Sequence, residues 1–137
     1  MANIRVLDAN VILRFLLADH PVQSPRCKVL FARLEAGQEV VYLPDIAVAD
    51  VVWTLTRFYR WPREQTRRFL TRVLTLRAVR TADRRRLVQA LTLFAEQNVD
   101  FSDALIAEEM RATGYGEIYS YDGDFDRVAG LTRVEPA

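Results

Sequence analysis

The chain has 137 residues, half of them hydrophobic and 27% charged, with a formal net charge of +1. This is the balance of an ordinary globule with room for a core, and residues 1–137 are expected to form one domain. It excludes a strong global field toward nucleic acid or membrane, and the lone Cys27 excludes an intrachain disulfide or a multi-cysteine metal site.

The elements follow in chain order. Ile4–Leu7 reads as a strand buried on both faces, with a helix from about Ala9 to Ala18 directly behind it. Ser24-Pro25 predicts a helix start with serine as cap, and Gly37 ends that helix after Ala36. Glu39–Leu43 is a second strand, closed by Pro44. Asp45 then caps a helix whose apolar positions run to about Tyr59. Pro62 opens a helix from Arg63 to about Leu76, apolar at Phe69, Val73 and Leu76. A short strand over Arg77–Thr81 precedes a helix capped by Asp83. A further helix covers Asp100–Thr113 and stops at Gly114. Glu117–Tyr121 reads as a strand, Asp124–Ala129 as a helical turn at most, and Leu131–Val134 as an edge strand. Strands alternating with helices predict an α/β fold around a mostly parallel sheet covered on both faces. No signal-peptide layout is visible, and Val11–Ala18 is broken by Arg14 and too short to span a bilayer. A cytoplasmic protein with no membrane partner is expected.

Charge is distributed unevenly. Between Arg57 and Arg86 stand eleven arginines against Glu64 and Asp83, and from Asp100 to Asp126 eight acids against Arg111 alone. Eighteen of the nineteen basic residues are arginine, a choice that suits phosphate recognition and that genome composition also produces. Arg63, Arg67, Arg68, Arg72 and Arg77, with Tyr59 and Trp61 nearby, offer phosphate contacts and stacking surfaces for a single strand of RNA. A solvated helix face, or a surface for an acidic protein, explains the same residues.

Carboxylates stand where an open α/β sheet gathers its ligands. Asp8 and Asp122 each follow an apolar strand. Asp8 can serve as a metal ligand or as the N-cap of the next helix, and Asn10 can hold its free oxygen or cap the same helix. Asp122 can be a ligand or the first residue of an Asp-Gly turn, with Ser120 on the same sheet face. Asp100 and Asp103 fit a capping-box-like pair, yet two carboxylates at one helix mouth exceed what capping needs. Asp50 lies in a helix flanked by Ala49 and Val51, a poor helix former whose burial would need a partner. Asp124 and Asp126 read as turn and cap residues, Asp124 near enough to hold an outer water. Glu108 and Glu109 read as a solvated helix face. Oxygen ligands without thiolate or paired histidine suit Mg²⁺ or Mn²⁺. With His20 the only histidine, a histidine-pair nuclease or a Ser-His-Asp triad is not available within one chain.

Four blocks carry a resemblance: Val6-Leu7-Asp8-Ala9-Asn10-Val11-Ile12-Leu13, Leu43-Pro44-Asp45-Ile46-Ala47-Val48-Ala49-Asp50-Val51-Val52-Trp53-Thr54-Leu55, Asp100-Phe101-Ser102-Asp103-Ala104-Leu105-Ile106-Ala107, and Tyr119-Ser120-Tyr121-Asp122-Gly123-Asp124-Phe125. In order and spacing they resemble the acidic blocks of PIN domains, especially the toxin ribonucleases of VapBC toxin–antitoxin systems. The resemblance implies a PIN-like three-layer α/β/α sandwich with a central, mostly parallel sheet, and an endoribonuclease dependent on Mg²⁺ or Mn²⁺. It implies a homodimer, an RNA substrate and a cognate antitoxin that inserts a segment near the acids. Carried over by position, Asp8, Asp50, Asp103 and Asp122 are the catalytic and metal-binding quartet. Asp100 and Asp124 are auxiliary acids, and Asn10 and Ser120 supporting polar groups. The pattern usually has glutamate where Asp50 stands, which shortens that arm by about 1.5 Å, one C–C bond. Ser120-Tyr121-Asp122 stands where Thr-Phe-Asp is commoner.

Two other functions stay open. A catalytically weak PIN-fold module that binds RNA or an antitoxin fits the short Asp50. A haloacid-dehalogenase-like phosphatase with Asp8 as nucleophile expects a second acid where Asn10 stands and a downstream lysine, whereas Lys28 is the only lysine.

Overall fold

Strands and helices alternate as the pattern predicts, and every strand pairing among the described residues is parallel. In the computed structural model, which describes residues 3–137, β1 (Arg5–Val6), β2 (Val41–Tyr42) and β3 (Val79–Arg80) lie side by side in that order. Arg5 is in register with Val41, and Val41 with Val79. β4 (Glu117–Tyr119) and β5 (Thr132–Val134) form a second parallel pair, Glu117 opposite Thr132. Parallel neighbours need long crossovers. They run through α1 (Ala9–Leu17) and α2 (Gln23–Glu35) from β1 to β2, and through α3 (Asp45–Trp53) and α4 (Arg63–Leu74) from β2 to β3, while α5 (Arg84–Glu96) and α6 (Phe101–Thr113) lead from β3 to the second pair. A 3₁₀ turn over Gly123–Arg127 joins β4 to β5. The result is an α/β sandwich with a central parallel sheet.

The core is built from residues the periodicity singles out. Ile12, Val41, Leu43, Val48, Val51, Leu55, Leu70, Leu74, Leu87 and Leu91 are all but sealed from solvent. Burying each such side chain contributes roughly 1.5–3 kcal/mol. No helix among the described residues is long and apolar enough to cross a membrane.

Four local expectations are corrected. β1 is not buried on both faces: Val6 is 66% exposed and Ile4 nearly half, because β1 ends its sheet and the helices leave that face uncovered. Ser24 is not a helix cap. α2 starts at Gln23, and its free amides at Val22 and Gln23 donate to His20 Nδ1 at 3.2 and 2.9 Å. Asp45 lies inside the first turn of α3 behind Pro44 and pairs with Arg86 at 3.2 Å. Glu108 is only 4% exposed, because it faces α5 rather than solvent, and Arg111 neutralises it at 2.9 Å.

One irregularity bears on the site. α3 runs on into a wide π turn over Thr54–Phe58, closed by a bond from the Tyr59 N–H to the Thr54 carbonyl at 3.2 Å. Arg60 then takes a left-handed backbone, φ 59°. Such insertions often mark functional positions.

Candidate active site

The mouth of α6 is tied to the 3₁₀ turn that follows β4. The capping-box account of Asp100 and Asp103 is not realised: Asp100 is the N-cap, but its side chain bonds no helix amide. Its own N–H instead donates to Asp124 Oδ2 at 3.1 Å. Arg127 donates to the other oxygen, Oδ1, at 2.6 Å and to the Asn98 carbonyl at 3.2 Å. Asp124 is thereby oriented from both sides, and one oxygen from each of Asp100, Asp103 and Asp124 falls within 4.8 Å of the others.

Asp122 joins this group through Asp103, with which it shares a carboxyl–carboxyl hydrogen bond. It also fills its turn role, accepting from the Asp124 N–H at 2.9 Å, while its own N–H donates to Ser120 Oγ at 2.9 Å. Burial, then the bond to Asp122 and the charges of Asp122, Asp124 and Asp100, push the Asp103 carboxyl up to about 7. Asp122 is held below the ordinary carboxylate range, first by the Asp124 amide and then by Asp103. Crowded acids resolve their repulsion by keeping one proton between them. A cation in that space would do the same work.

Asp8 and Asp50 are not among the three acids whose oxygens converge. Asp8 occupies the N-cap position of α1 with extended backbone, φ −88° and ψ 153°, but its side chain caps no amide. Among the described residues neither Asp8 nor Asn10 makes a side-chain hydrogen bond or ion pair, so neither capping nor mutual support accounts for them. Asp50 is exposed rather than buried. It turns outward from α3, whose neighbours Val48, Val51 and Val52 fill the core, and no unpaired charge is sealed inside. It lines a cavity of about 660 Å³ that it shares with Asp100, Ser102 and the aromatic groups of Trp53, Trp61 and Phe94.

The arginines divide. Arg63 reaches this cavity but is consumed internally: it donates to the carbonyls of Phe94 and Val99 at 2.9 and 3.0 Å, lies 4.3 Å over the Phe94 ring, and stands 3.6 Å from Asp100. Arg67 and Arg68 share the one carboxylate of Glu64 on the same helix. Arg72 is exposed on α4, outside the cavity lining. Of the arginines expected to bind RNA, Arg63 is thus held inside, while Arg68 and Arg72 remain exposed on α4. Arg57, not among the expected RNA-binding arginines, lines the cavity with its side chain 60% exposed, 3.9 Å from Asp100. Its spacing from Asp50 and Trp53 on one helix was the available signal.

The PIN domain family model matches residues 5–131. The chain is also similar to the VapC ribonuclease of Aquifex aeolicus (strain VF5), 22% identical over 132 residues, which is 96% of each chain.

Proposed function

The chain belongs to the PIN domain family, and from that premise we propose that residues 1–137 form a single PIN domain acting as a divalent-metal-dependent endoribonuclease. Its proposed setting is a toxin–antitoxin pair, working in the cytoplasm as a homodimer on RNA and silenced by a cognate antitoxin. The observation that carries the chemistry is the convergence of Asp100, Asp103 and Asp124, with Asp122 bonded to Asp103. The similarity to a VapC ribonuclease supports the substrate and the partner.

The donor set fits Mg²⁺ or Mn²⁺. It is all carboxylate oxygen, it is crowded enough that Asp103 keeps a proton near neutrality, and no histidine or cysteine lies in it. Asp103 and Asp122, with Asp8 and Asp50 completing the quartet and Asp100 and Asp124 assisting, are the residues that would hold the ion. When bound, a divalent cation supplies charge neutralisation at the phosphodiester and a more acidic attacking water. The chain's own contribution is orientation. Arg127 and the Asp100 amide fix Asp124, the Asp124 amide fixes Asp122, and Ser120 fixes the turn that carries both. Asp8, free of any cap, is left available to the reacting groups.

A weakly catalytic binding module is the second reading. It is favoured by Asp50, whose short arm stands on the cavity wall outside the three-acid cluster. The deciding experiment is cleavage of RNA by the purified protein with Mg²⁺ or Mn²⁺. Loss of cleavage in chelator and in Asp8→Asn is expected, and full cleavage under either condition overturns the proposal. Copurification with the product of an adjoining small gene, together with suppressed cleavage, tests the antitoxin pairing.

A further inference from the structure

The segment from Trp53 to Trp61 has a composition that folding alone does not demand. Trp53 is 61% exposed and Phe58 73%, and Tyr59 is exposed as well. A core would have taken in such rings, yet this run leaves them at the surface interleaved with Arg57 and Arg60, both exposed. Phe58 and Tyr59 support each other edge to face, their centroids 4.9 Å apart. Trp53 has no such ring partner among the described residues and opens onto the 660 Å³ cavity, together with Arg57, Asp50 and Asp100. The floor of that cavity is rigid, because Arg63 is locked over Phe94 by two carbonyl bonds.

We infer that this cavity is a nucleobase subsite, in which an unpaired base of the RNA stacks on the Trp53 indole while Arg57 holds an adjoining phosphate. The inference rests on the ribonuclease reading for the identity of its ligand. Three features favour it. Alternating aromatic and guanidinium groups are the combination that binds a single strand, since every base has a π-face and every linkage a charge. The cavity lies within the range of small-ligand pockets, about 300–1,000 Å³. Of the two arginines that line the cavity, Arg57 is the one that can reach a ligand: it is exposed and only 3.9 Å from Asp100, whereas Arg63 is held by the Phe94 and Val99 carbonyls. Arg57 lines the cavity together with Asp50 and Trp53, seven and four residues earlier. A base so bound lies beside Asp100, at the edge of the acidic cluster, so the subsite selects an unpaired nucleotide next to the cleavage point. A duplex keeps its bases stacked and cannot fill it.

The test is the affinity of wild type, Trp53→Ala and Trp53→Phe for a short fluorescent unpaired RNA, in Ca²⁺ by fluorescence polarisation. The same strand carrying an abasic sugar at successive positions, and its blunt duplex, complete the set. Trp53→Ala is expected to weaken unpaired RNA about tenfold, with Trp53→Phe recovering most of the loss. One abasic position should weaken wild type by the same factor and leave Trp53→Ala unaffected, and the duplex should not distinguish the proteins. Affinity of Trp53→Ala within about twofold of wild type overturns the subsite. So does an equal loss on the duplex. Unchanged RNA affinity with lost copurification of a protein partner overturns it in favour of protein docking. If wild type shows the stacking pattern but cuts no RNA with Mg²⁺ or Mn²⁺, the ribonuclease reading falls and the subsite stands. If wild type cuts RNA and Trp53→Ala keeps both affinity and KM, the reverse holds.

Discussion

Asp103 and Asp122 share a hydrogen bond between their carboxyl groups, and they titrate in opposite directions. Burial first, and then Asp122, push Asp103 up to about 7, while the Asp124 amide keeps Asp122 low. In an unfolded chain both would ionise near 3.9, roughly. Between that value and neutrality the folded, metal-free protein holds a proton on Asp103 that the unfolded chain has released. Stability from this group therefore falls as pH rises through that window, and levels off above it. Asp122 has the opposite sign, and its contribution is lost as pH drops below the ordinary carboxylate range. Thermal melts in chelator from about pH 4 to pH 8 check this. Asp103→Asn should flatten the decline toward pH 8, and an unaltered decline in that variant would contradict the assignment.

Divalent cations should reverse the trend. At about pH 7.5, Mn²⁺ at a hundredfold excess over its Kd stabilises the folded state by about 2.7 kcal/mol. The rise in Tm should be absent in Asp103→Asn and small at acid pH, where protons compete for the same oxygens. Isothermal titration with Mn²⁺ reads the accompanying proton release.

Asp50→Glu restores about 1.5 Å of reach toward the acids across the cavity. Turnover on RNA is expected to rise roughly tenfold, about 1.4 kcal/mol of barrier. The side chain is exposed and free of hydrogen bonds among the described residues, so folding should be unaffected. Equal or lower turnover in the variant would place Asp50 outside the reacting groups.

Arg63 should matter for folding and its neighbours little. Arg63→Ala removes two carbonyl bonds and the contact with Phe94, a loss of about 2–4 kcal/mol. Both carbonyls accept from the single Nη1, which an ammonium can replace, whereas no ammonium lies flat on the ring, so Arg63→Lys should recover part of the loss. Arg67→Ala and Arg68→Ala, which break surface pairs with Glu64, should each cost less than about 1 kcal/mol. Urea denaturation of the three alanine variants separates these effects.

His20 caps α2 with its ring, accepting from Val22 and Gln23, while its own backbone N–H donates to the buried Ser24 hydroxyl at 3.1 Å. His20→Ala should cost about 1 kcal/mol, and His20→Asn should retain most of the cap. A loss that is equal in both variants would mean that the ring packs rather than caps.

Short-range chemistry was legible in the sequence. The Asp83 cap appears as expected, its Oδ1 accepting from the Arg86 N–H at 3.0 Å, and Gly114 ends α6 with φ 83°. The alternation of strand and helix gave the architecture because apolar periodicity reports which face of each element is buried. Where local signals competed, the sequence could not choose. Ser24 and His20 both stand near the start of α2, and only packing buries the serine. Glu108 reads as solvated until α5 is laid against its face. Asp50 reads as buried until its outward direction from α3 is known.

The site divides along the same line. That acids stand at the ends of strands and at the mouths of helices, in the order of one family, is written in the chain, because those junctions are set by nearest neighbours along it. Which acids meet depends on how distant segments pack. Asp124, read first as a turn residue with an auxiliary part, enters the cluster through a bond to the Asp100 amide 24 residues earlier, and Asp8 is left uncapped at α1. The partners of the arginines were set in the same way, Glu64 for Arg67 and Arg68 and the carbonyls of Phe94 and Val99 for Arg63. Charges are neutralised by whatever the fold brings within a few ångströms, and residue spacing along the chain does not contain that distance.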